Sequence, residues 1–304
     1  MGLSGSTRDA LAAVGLSAPL VEEVARRTVE EDLAGGVDVT SVATVPAELM
    51  GTAAFVPRAA GVVAGIGVAM AVVDVVSDGA ARLTATPDGR RVRAGEVVLQ
   101  ATGPVRDLLT AERSALNLLC HLSGIATLTR RWVDAVEGTG ARVRDTRKTT
   151  PGLRALEKYA VRAGGGANHR MSLSDAALVK DNHVVASGGV AEAFGAVRAA
   201  FPGLAVEVEC DTVAQVREVL AAGADLVLLD NMGLAELREA VALCGAAGVL
   251  TEASGGLSLP AARSVAETGV HFLAVGALTH SAPVLDLGVD LSLCAAARGG
   301  PRCS

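Results

Sequence analysis

Aromatic residues are scarce in this chain of 304 residues, which holds one Trp, one Tyr and four Phe. Half of the residues are hydrophobic, so a sizeable core is expected, but it must be packed mainly from aliphatic side chains. The net charge is −6 and the pI is about 5.5. An acidic chain with few aromatics lacks both the basic surface and the stacking side chains of nucleic-acid-binding proteins. The sequence therefore predicts no nucleic-acid partner.

Long apolar runs, a signal sequence and paired cysteines are also missing. No run reaches the roughly 18 apolar residues of a membrane-spanning helix, so no membrane association is predicted. The N-terminus lacks the basic segment and long apolar segment of a secretory signal. The five cysteines are scattered and include no CxxC pair, so neither a disulfide framework nor a zinc site is predicted. These absences favour a cytoplasmic protein.

The first hundred residues predict an α+β module. Apolar residues at helical spacing indicate a helix over 18–34, which ends at a pair of glycines. Over 51–103, short β-branched runs are separated by Pro-Asp-Gly and Gly-Pro turns, which is typical of strands. A helix is predicted between these strands, over 68–77.

A long helix is predicted from Val105 to about Gly138, with an interruption near Ser123-Gly124. It carries Arg113 on a face that is otherwise apolar. Such an arginine is ordinarily a surface residue whose stem packs on apolar neighbours. After Pro283, an alternating apolar segment predicts a last strand that returns to the first domain.

The second half of the chain alternates apolar runs with helical segments, and GxGxxG is absent after the first run. Near-continuous apolar strands that alternate with helices predict a parallel sheet with helices outside. A doubly wound open sheet is the competing arrangement, and the missing glycine motif counts against it. Polar residues end the successive runs, at the edge where barrels assemble their active sites. They are Lys180, Glu209, Asp230, Ser254 and Gly276.

Lysine is nearly absent, and its three occurrences lie close together at Lys148, Lys158 and Lys180. A chain that otherwise uses arginine keeps lysine where a compact ammonium is favoured over a planar guanidinium. Between residues 141 and 180, nine Lys and Arg stand against three Asp and Glu. Such a cationic island in an acidic chain predicts the binding of a small polyanion. The alternative is a solvated helix face, which Arg154, Lys158 and Arg162 partly fit by their spacing.

Three segments of this island, DTRKTTPGLR, GGGANHR and LVKDNH, resemble the signature of the quinolinate phosphoribosyltransferase family. Further segments continue the resemblance in order: ERSALNLLCHLSGIAT, VEVEC, LLDNM, EASGGL and VGALTHS. Together they span most of the chain from about residue 110 to 290, whereas the first hundred residues resemble the family more loosely.

The resemblance implies a two-domain α/β protein. An N-terminal α+β sandwich-like domain would comprise 1–125 with the C-terminal tail 285–304. A C-terminal open α/β barrel of the type II phosphoribosyltransferase kind would comprise 126–284. The implied reaction, a step of NAD biosynthesis, is a pentosyl transfer from phosphoribosyl pyrophosphate to quinolinate with decarboxylation. It gives nicotinate mononucleotide, pyrophosphate and CO₂. The resemblance also implies a homodimer with shared active sites, in which Arg113 enters the site of the partner subunit.

The family's functional residues carry over to matching positions of this chain. Those implied to bind the two quinolinate carboxylates are Arg113, Arg147, His169 and Arg170. Those implied to bind the phosphates are Lys148, Lys180, Ser254, Gly255, Gly256, Gly276 and Ala277, with Thr146 completing the substrate-binding set. Glu209 and Asp230 are implied to contact the ribose hydroxyls and a Mg²⁺ ion, and together with Lys148 and Lys180 they form the predicted catalytic set. Glu207, two residues before Glu209, is expected to point to the same side of its strand.

Three other hypotheses remain open at this stage. The first is a related pyrophosphorylase-like enzyme for a different aromatic acid, which the full set of arginines disfavours. The second is a Schiff-base aldolase with Lys180 as its nucleophile. The third is a non-catalytic relative that binds a nucleotide as a regulator.

Overall fold

The structure, a computed structural model, describes residues 2–294. The chain divides into two compact units. Unit 1 comprises the described residues within Met1–Thr127, Ala155–Gly164 and Ala282–Ser304, and unit 2 comprises Leu128–Arg154 and Gly165–Ser281. The predicted tail at 285–304 is described as far as residue 294. Across the described residues, none of the helices combines the length and apolar character that a bilayer crossing requires.

Unit 1 is built from helices and short antiparallel strands. Its helices are α1 (Gly5–Ala13), α2 (Ala18–Leu33), α3 (Val39–Thr44), α4 (Ile66–Ser77), α5 (Val105–Ala135) and α6 (Arg154–Ala163), of which α5 runs on into unit 2. Its strands are β1 (Met50–Pro57), β2 (Gly61–Val62), β3 (Arg82–Ala85), β4 (Arg91–Val92), β5 (Leu99–Pro104) and β12 (Leu287–Leu293). Four of these strands form one antiparallel sheet in the order β12-β1-β5-β3, and β2 pairs with β4 in a second sheet. The predicted return of the last strand is confirmed, because β12 pairs with β1 from Gly51–Leu293 to Pro57–Leu287.

Helix α4 lies in the core of unit 1, and nearly all of its residues are buried. Its first turn is capped from a distant loop, because the Asp88 carboxylate accepts hydrogen bonds from the backbone N–H groups of Gly65 at 2.9 Å and Ile66 at 3.1 Å. The Tyr159 hydroxyl donates to the same carboxylate. Burial raises the pKa of Asp88, and these hydrogen bonds oppose that shift.

The predicted interruption of the long helix is wrong, because α5 continues through Ser123 and Gly124. The Ser123 hydroxyl accepts from the Ala64 N–H at 3.0 Å and donates to the Ala64 carbonyl at 3.2 Å. Gly124 is required by a close approach, since a Cβ atom there would lie 2.2 Å from the Pro283 carbonyl oxygen. Both residues therefore serve packing in unit 1 and do not break the helix.

Helix α6 does not present a fully solvated basic face. Glu157 and Lys158 are completely buried in unit 1, whereas Arg162 is exposed. The Glu157 carboxylate lies 2.8 Å from His121 Nε2. The solvated-face interpretation is therefore wrong for Lys158, since a helical spacing of basic residues does not reveal which of them the fold covers.

Unit 2 contains a six-stranded parallel sheet with helices between its strands. The strands are β6 (Arg142–Arg144), β7 (Ala177–Val179), β8 (Val206–Cys210), β9 (Leu226–Asp230), β10 (Leu250–Ser254) and β11 (Phe272–Ala274). The helices are α7 (Asp181–Ser187), α8 (Val190–Ala200), α9 (Val213–Ala221), α10 (Leu234–Ala246), α11 (Ala262–Ala266) and α12 (Ala277–His280), with a 3₁₀ turn at Leu259–Ala261. The strand order is β6-β11-β10-β9-β8-β7, and every pairing is parallel. This arrangement agrees with the predicted open α/β barrel.

Four of the five cysteines lie in the described part of the chain. Cys120, Cys210 and Cys244 are free thiols. Burial raises the pKa of Cys210 to about 12 and that of Cys244 to about 11. Cys294 is disulfide-bonded, which the scattered cysteine pattern did not predict.

Candidate active site

A cavity of about 590 Å³ opens at the carboxyl ends of the parallel strands, with walls formed entirely by unit 2. Parallel strands end at one edge of a sheet, so residues far apart in sequence meet there. The wall consists of Thr146, Arg147, Lys148, His169, Arg170, Leu178, Lys180, Glu209, Leu228, Asp230, Asn231, Glu252, Ser254, Gly255, Gly256 and Ala274.

The strand periodicity builds this site in two layers. Residues two apart on a strand point to the same side. The upper layer, within one residue of the strand ends, comprises Lys180, Glu209, Asp230 and Ser254. The lower layer, two positions earlier on each strand, comprises Leu178, Glu207, Leu228 and Glu252. The register is level between β9 and β10, because Glu252 pairs with Leu228 and Ser254 pairs with Asp230. Strand β8 is offset by two residues, because Glu209 pairs with Leu228.

Two guanidinium groups lie next to each other in the wall. Burial and, secondly, the cationic Arg147 lower the pKa of Arg170 from its usual value. Arg170 Nη1 donates to the Ala176 carbonyl at 2.8 Å, which fixes its direction. Arg147 Nε is buried and has no hydrogen-bond acceptor among residues 2–294. A buried donor without an acceptor costs free energy, so this pair is suited to an anionic ligand.

The rim of the cavity carries two carboxylates of the upper layer. Glu209 Oε2 accepts from Lys180 Nζ at 2.5 Å, and Asp230 Oδ2 accepts from Asn231 Nδ2 at 2.5 Å. Lys180 is about half exposed, whereas the Glu209 side chain is 12% exposed. Carboxylate oxygens are the ligands that Mg²⁺ prefers, and it commonly takes only one or two of them from a protein. The residue types at this rim therefore fit a magnesium ion.

Gly255 is required by its backbone conformation and by its neighbour. Its φ is +86°, and a Cβ atom there would lie 2.2 Å from Asn231 Oδ1. Asn231 itself has a φ of 54°, in the left-handed region that Asn adopts more readily than most residues. The Asn231 N–H donates to the Ser254 carbonyl at 3.0 Å. This hydrogen bond joins the residue after β9 to the last residue of β10.

The lower layer holds a buried polar cluster around His169. His169 Nε2 lies 2.8 Å from Glu207 Oε2 and 3.5 Å from Glu252 Oε1. Glu252 Oε2 accepts from Arg144 Nη1 at 2.6 Å. Burial, and then the charge of Glu207, raise the pKa of Glu252 to about 7, while Arg144 and His169 oppose that shift. The backbone N–H of His169 donates to Asp145 Oδ1 at 2.7 Å.

Most of the predicted site residues meet in this cavity, but three do not line it. Gly276 lies against the stem of Lys148, since a Cβ atom there would be 3.0 Å from Lys148 Cδ. Ala277, the next residue, is the first residue of the short helix α12. Arg113 belongs to unit 1, where it is exposed on α5. The roles that the resemblance implies for these residues stay predictions.

Sequence reasoning missed Glu252 and Asn231, although both line the cavity. A signal for Glu252 was available, because it precedes Ser254 by two residues as Glu207 precedes Glu209. The signal for Asn231 was its place directly after the strand-end residue Asp230. Its left-handed backbone conformation has no sequence signature beyond the residue type.

The chain matches the family models of quinolinate phosphoribosyl transferase, the N-terminal domain at residues 38–123 and the C-terminal domain at residues 125–290. It is 54% identical over 270 residues to nicotinate-nucleotide pyrophosphorylase (carboxylating) of Mycobacterium leprae, which covers 88% of this chain and 95% of that protein. It is 40% identical over 264 residues to a probable nicotinate-nucleotide pyrophosphorylase (carboxylating) of Bacillus subtilis, covering 86% of this chain and 90% of that protein.

The fold is similar to that of a solved relative. The crystal structure of NadC from Streptococcus pyogenes superposes with a TM-score of 0.87 at 37% identity, covering 91% of this chain and 98% of that one. The two family models together span most of the sequence, and the M. leprae relative matches at high identity over nearly all of it. This chain therefore belongs to the quinolinate phosphoribosyl transferase family.

Proposed function

We propose that this protein transfers phosphoribosyl from phosphoribosyl pyrophosphate to quinolinate, with loss of CO₂, to give nicotinate mononucleotide and pyrophosphate. The observation that carries the proposal is the adjacent Arg147 and Arg170 pair in the cavity wall, with the buried Nε of Arg147 lacking an acceptor. The relatives named above carry names for this activity.

Quinolinate carries two neighbouring carboxylates, which match two neighbouring guanidinium groups. Each guanidinium binds a carboxylate through parallel N–H bonds, and the dianion removes the repulsion between Arg147 and Arg170. Since Arg170 is fixed through Ala176 and Arg147 keeps a free donor, the pair is arranged before the ligand binds. A ligand with one carboxylate would leave part of this set unpaired.

The phosphate groups are proposed to lie at Lys148 and at the turn after β10. Lys148 is exposed at the cavity, and its backbone carbonyl accepts from the Thr279 hydroxyl at 2.7 Å. The absence of a side chain at Gly276 leaves space for the stem of Lys148. Gly255 and Gly256 present backbone without side chains beside Ser254, and such loops at the ends of late barrel strands commonly hold phosphate.

The carboxylates at the rim are proposed to act on the ribose. The ring nitrogen of quinolinate attacks C1 of the ribose while pyrophosphate departs, and positive charge develops on the sugar ring. Glu209 and Asp230 stabilise that charge and contact the ribose hydroxyls. Mg²⁺ is proposed here, where it would neutralise charge on the departing pyrophosphate. Lys180 orients Glu209 through their ion pair.

Decarboxylation follows without an organic cofactor. Once the ring nitrogen is alkylated, the bond from C2 to its carboxylate breaks, CO₂ leaves, and the electron pair remains on C2 beside the cationic nitrogen. A proton from solvent then completes the ring. Lys180 is not needed as a Schiff-base nucleophile, and its Nζ is held in an ion pair with Glu209 at 2.5 Å.

Assembly and location stay predictions. Arg113 is exposed on α5 and is not one of the residues that line the cavity, which supports its proposed role as the arginine donated to a partner subunit. On that proposal the active unit is a homodimer with shared sites. The cytoplasmic location, which was predicted from the sequence, is likewise a proposal.

The proposed function is tested by turnover with quinolinate, phosphoribosyl pyrophosphate and Mg²⁺. The expected result is equimolar nicotinate mononucleotide, pyrophosphate and CO₂, with no product when magnesium is chelated. The matched control is Arg147→Gln, which removes one guanidinium from the cavity. Absence of turnover by the folded wild-type protein would overturn the proposal.

A further inference from the structure

The lower layer contains two carboxylates that lie beside one histidine N–H. Glu207 and Glu252 are 4% and 0% exposed, and each has a carboxylate oxygen within 4.8 Å of the other. His169 Nδ1 accepts a hydrogen bond from the Arg170 N–H at 2.7 Å, so the ring carries its proton on Nε2. That N–H reaches Glu207 at 2.8 Å, whereas Glu252 lies at 3.5 Å.

The cluster of His169, Glu207 and Glu252 has too few hydrogen-bond donors for its carboxylate oxygens. Arg144 satisfies Glu252 Oε2, but Glu252 Oε1 and Glu207 Oε1 are buried and have no hydrogen-bond partner within the described residues. Two ionised carboxylates at this separation repel each other in a medium that screens charge poorly. A proton on one of them removes the repulsion and supplies a donor.

Glu252 is the better place for that proton. The groups that face it are Arg144 from β6, His169 from the loop before β7, and Glu207 from β8. Its pairing partners on the adjacent strands are Leu228 and Phe272, which are apolar. Burial and the charge of Glu207 raise its pKa to about 7, so an appreciable share of Glu252 is neutral at neutral pH.

We propose that Glu252 is a positioning residue that works as a neutral carboxylic acid: it donates to Glu207, the carboxylate nearest to His169 Nε2, and so steadies His169 without placing a second negative charge under the arginines that bind the substrate. His169 is joined to Arg170 through the hydrogen bond to its ring, so fixing the imidazole also fixes the start of the Arg170 side chain. This inference rests on the proposed function in one respect, namely that the ligand is a dianion.

Two consequences follow from the sign of the charge. An ionised Glu252 opposes a dianion, so the affinity for quinolinate falls as the pH rises through the pKa of Glu252. Conversely, a bound dianion favours the neutral acid, so binding near neutral pH takes up a fraction of a proton.

The substrate-dependent test compares the wild type with Glu252→Gln, whose amide is neutral and keeps a donor. The KM for quinolinate in the wild type is expected to rise by about threefold or more between roughly pH 6.5 and 8.5. In Glu252→Gln the KM should stay near the low-pH value of the wild type, with kcat changed by less than about threefold. Calorimetry in buffers of different ionisation enthalpy should show proton uptake on quinolinate binding by the wild type and less by the variant.

Two control variants separate the effect of Glu252 on the KM from the effect of removing any negative charge. Glu239→Gln, an exposed carboxylate on α10, also removes one negative charge and should reproduce the wild-type pH dependence. Glu252→Asp keeps an acid but withdraws it from Glu207, so it should raise the KM at every pH. A Glu252→Gln variant with a KM more than about tenfold above the wild type at all pH values would show that the ionised carboxylate is needed, and would overturn the proposal.

The substrate-independent test measures unfolding. The pKa of Glu252 is about 7 in the folded protein and near its ordinary 4.5 in the unfolded chain. Folding therefore takes up a proton at pH values between these two pKa values. The stability of the wild type relative to Glu252→Gln should be greatest at low pH and decline as the pH rises through 7. Parallel stability curves would contradict the proposal even if quinolinate is turned over. Failure of turnover with diverging curves would instead count against the proposed function alone.

Discussion

At the residue scale, the three lysines of the chain lie in two different environments. Lys148 and Lys180 line the cavity, where Lys148 is exposed and Lys180 is about half exposed, whereas Lys158 is completely buried in unit 1. An ammonium is compact and directs three donors freely, while a guanidinium is bulkier and planar. We therefore expect the cavity lysines to contribute to ligand binding and Lys158 to contribute to folding.

We predict that Lys148→Arg and Lys180→Arg fold normally but lose about 100-fold in kcat/KM, equivalent to about 2.7 kcal/mol. The charge is retained in both, so the loss reports the shape of the cation. The measurement is steady-state kinetics, with circular dichroism to confirm folding. Activity within about threefold of the wild type in both variants would contradict the roles proposed for these lysines.

Lys158→Arg is the matched comparison, because it makes the same exchange outside the cavity. A larger, planar group in a fully packed site should lower the free energy of unfolding by roughly 1–3 kcal/mol. Thermal unfolding measures this, and the kcat/KM of the folded fraction should change by less than about tenfold. A variant as stable as the wild type but inactive would place Lys158 in the catalytic machinery instead.

At the element scale, the turn after β10 fixes the proposed phosphate-binding wall. Gly255→Ala forces a side chain into a left-handed position and against Asn231 Oδ1. We predict that it lowers kcat/KM for phosphoribosyl pyrophosphate by about tenfold or more, because the loop must shift. Gly245→Ala in α10, where a Cβ meets nothing within 4 Å, should leave activity unchanged and stabilise the helix slightly. Equal kinetics for both variants would show that the loop geometry is unimportant.

Elements whose pattern is local were predictable from the sequence, and those set by distant contacts were not. The strand-end positions of Glu209 and Asp230 follow from apolar runs of fixed length, and the return strand β12 follows from its alternation. The continuity of α5 did not follow, because Ser123 and Gly124 are explained by Ala64 and Pro283, which lie far away in sequence. Likewise Glu252 is defined by its partners Arg144 and His169, which periodicity alone does not reveal.

At the scale of the whole molecule, the proposed sharing of Arg113 makes a prediction about mixed dimers. Arg113→Ala and Lys180→Ala should each be inactive alone. In a mixed dimer, one site carries both lesions and the other carries none, so mixing should restore activity up to about half of the wild-type value per mixed dimer. No recovery, despite demonstrated subunit exchange, would show that each site is built from one chain.

We propose that the cavity is suited to two adjacent carboxylates, and a comparison of quinolinate with nicotinate as substrates tests this. Nicotinate has the same ring and one carboxylate, so it would leave part of the Arg147 and Arg170 pair without a partner. The measurement is kcat/KM for each acid with phosphoribosyl pyrophosphate and Mg²⁺, at one pH. We predict that nicotinate is poorer by about 1,000-fold or more, equivalent to about 4 kcal/mol for buried charged donors left unpaired. Comparable values for the two acids would show that the arginine pair does not select for a second carboxylate.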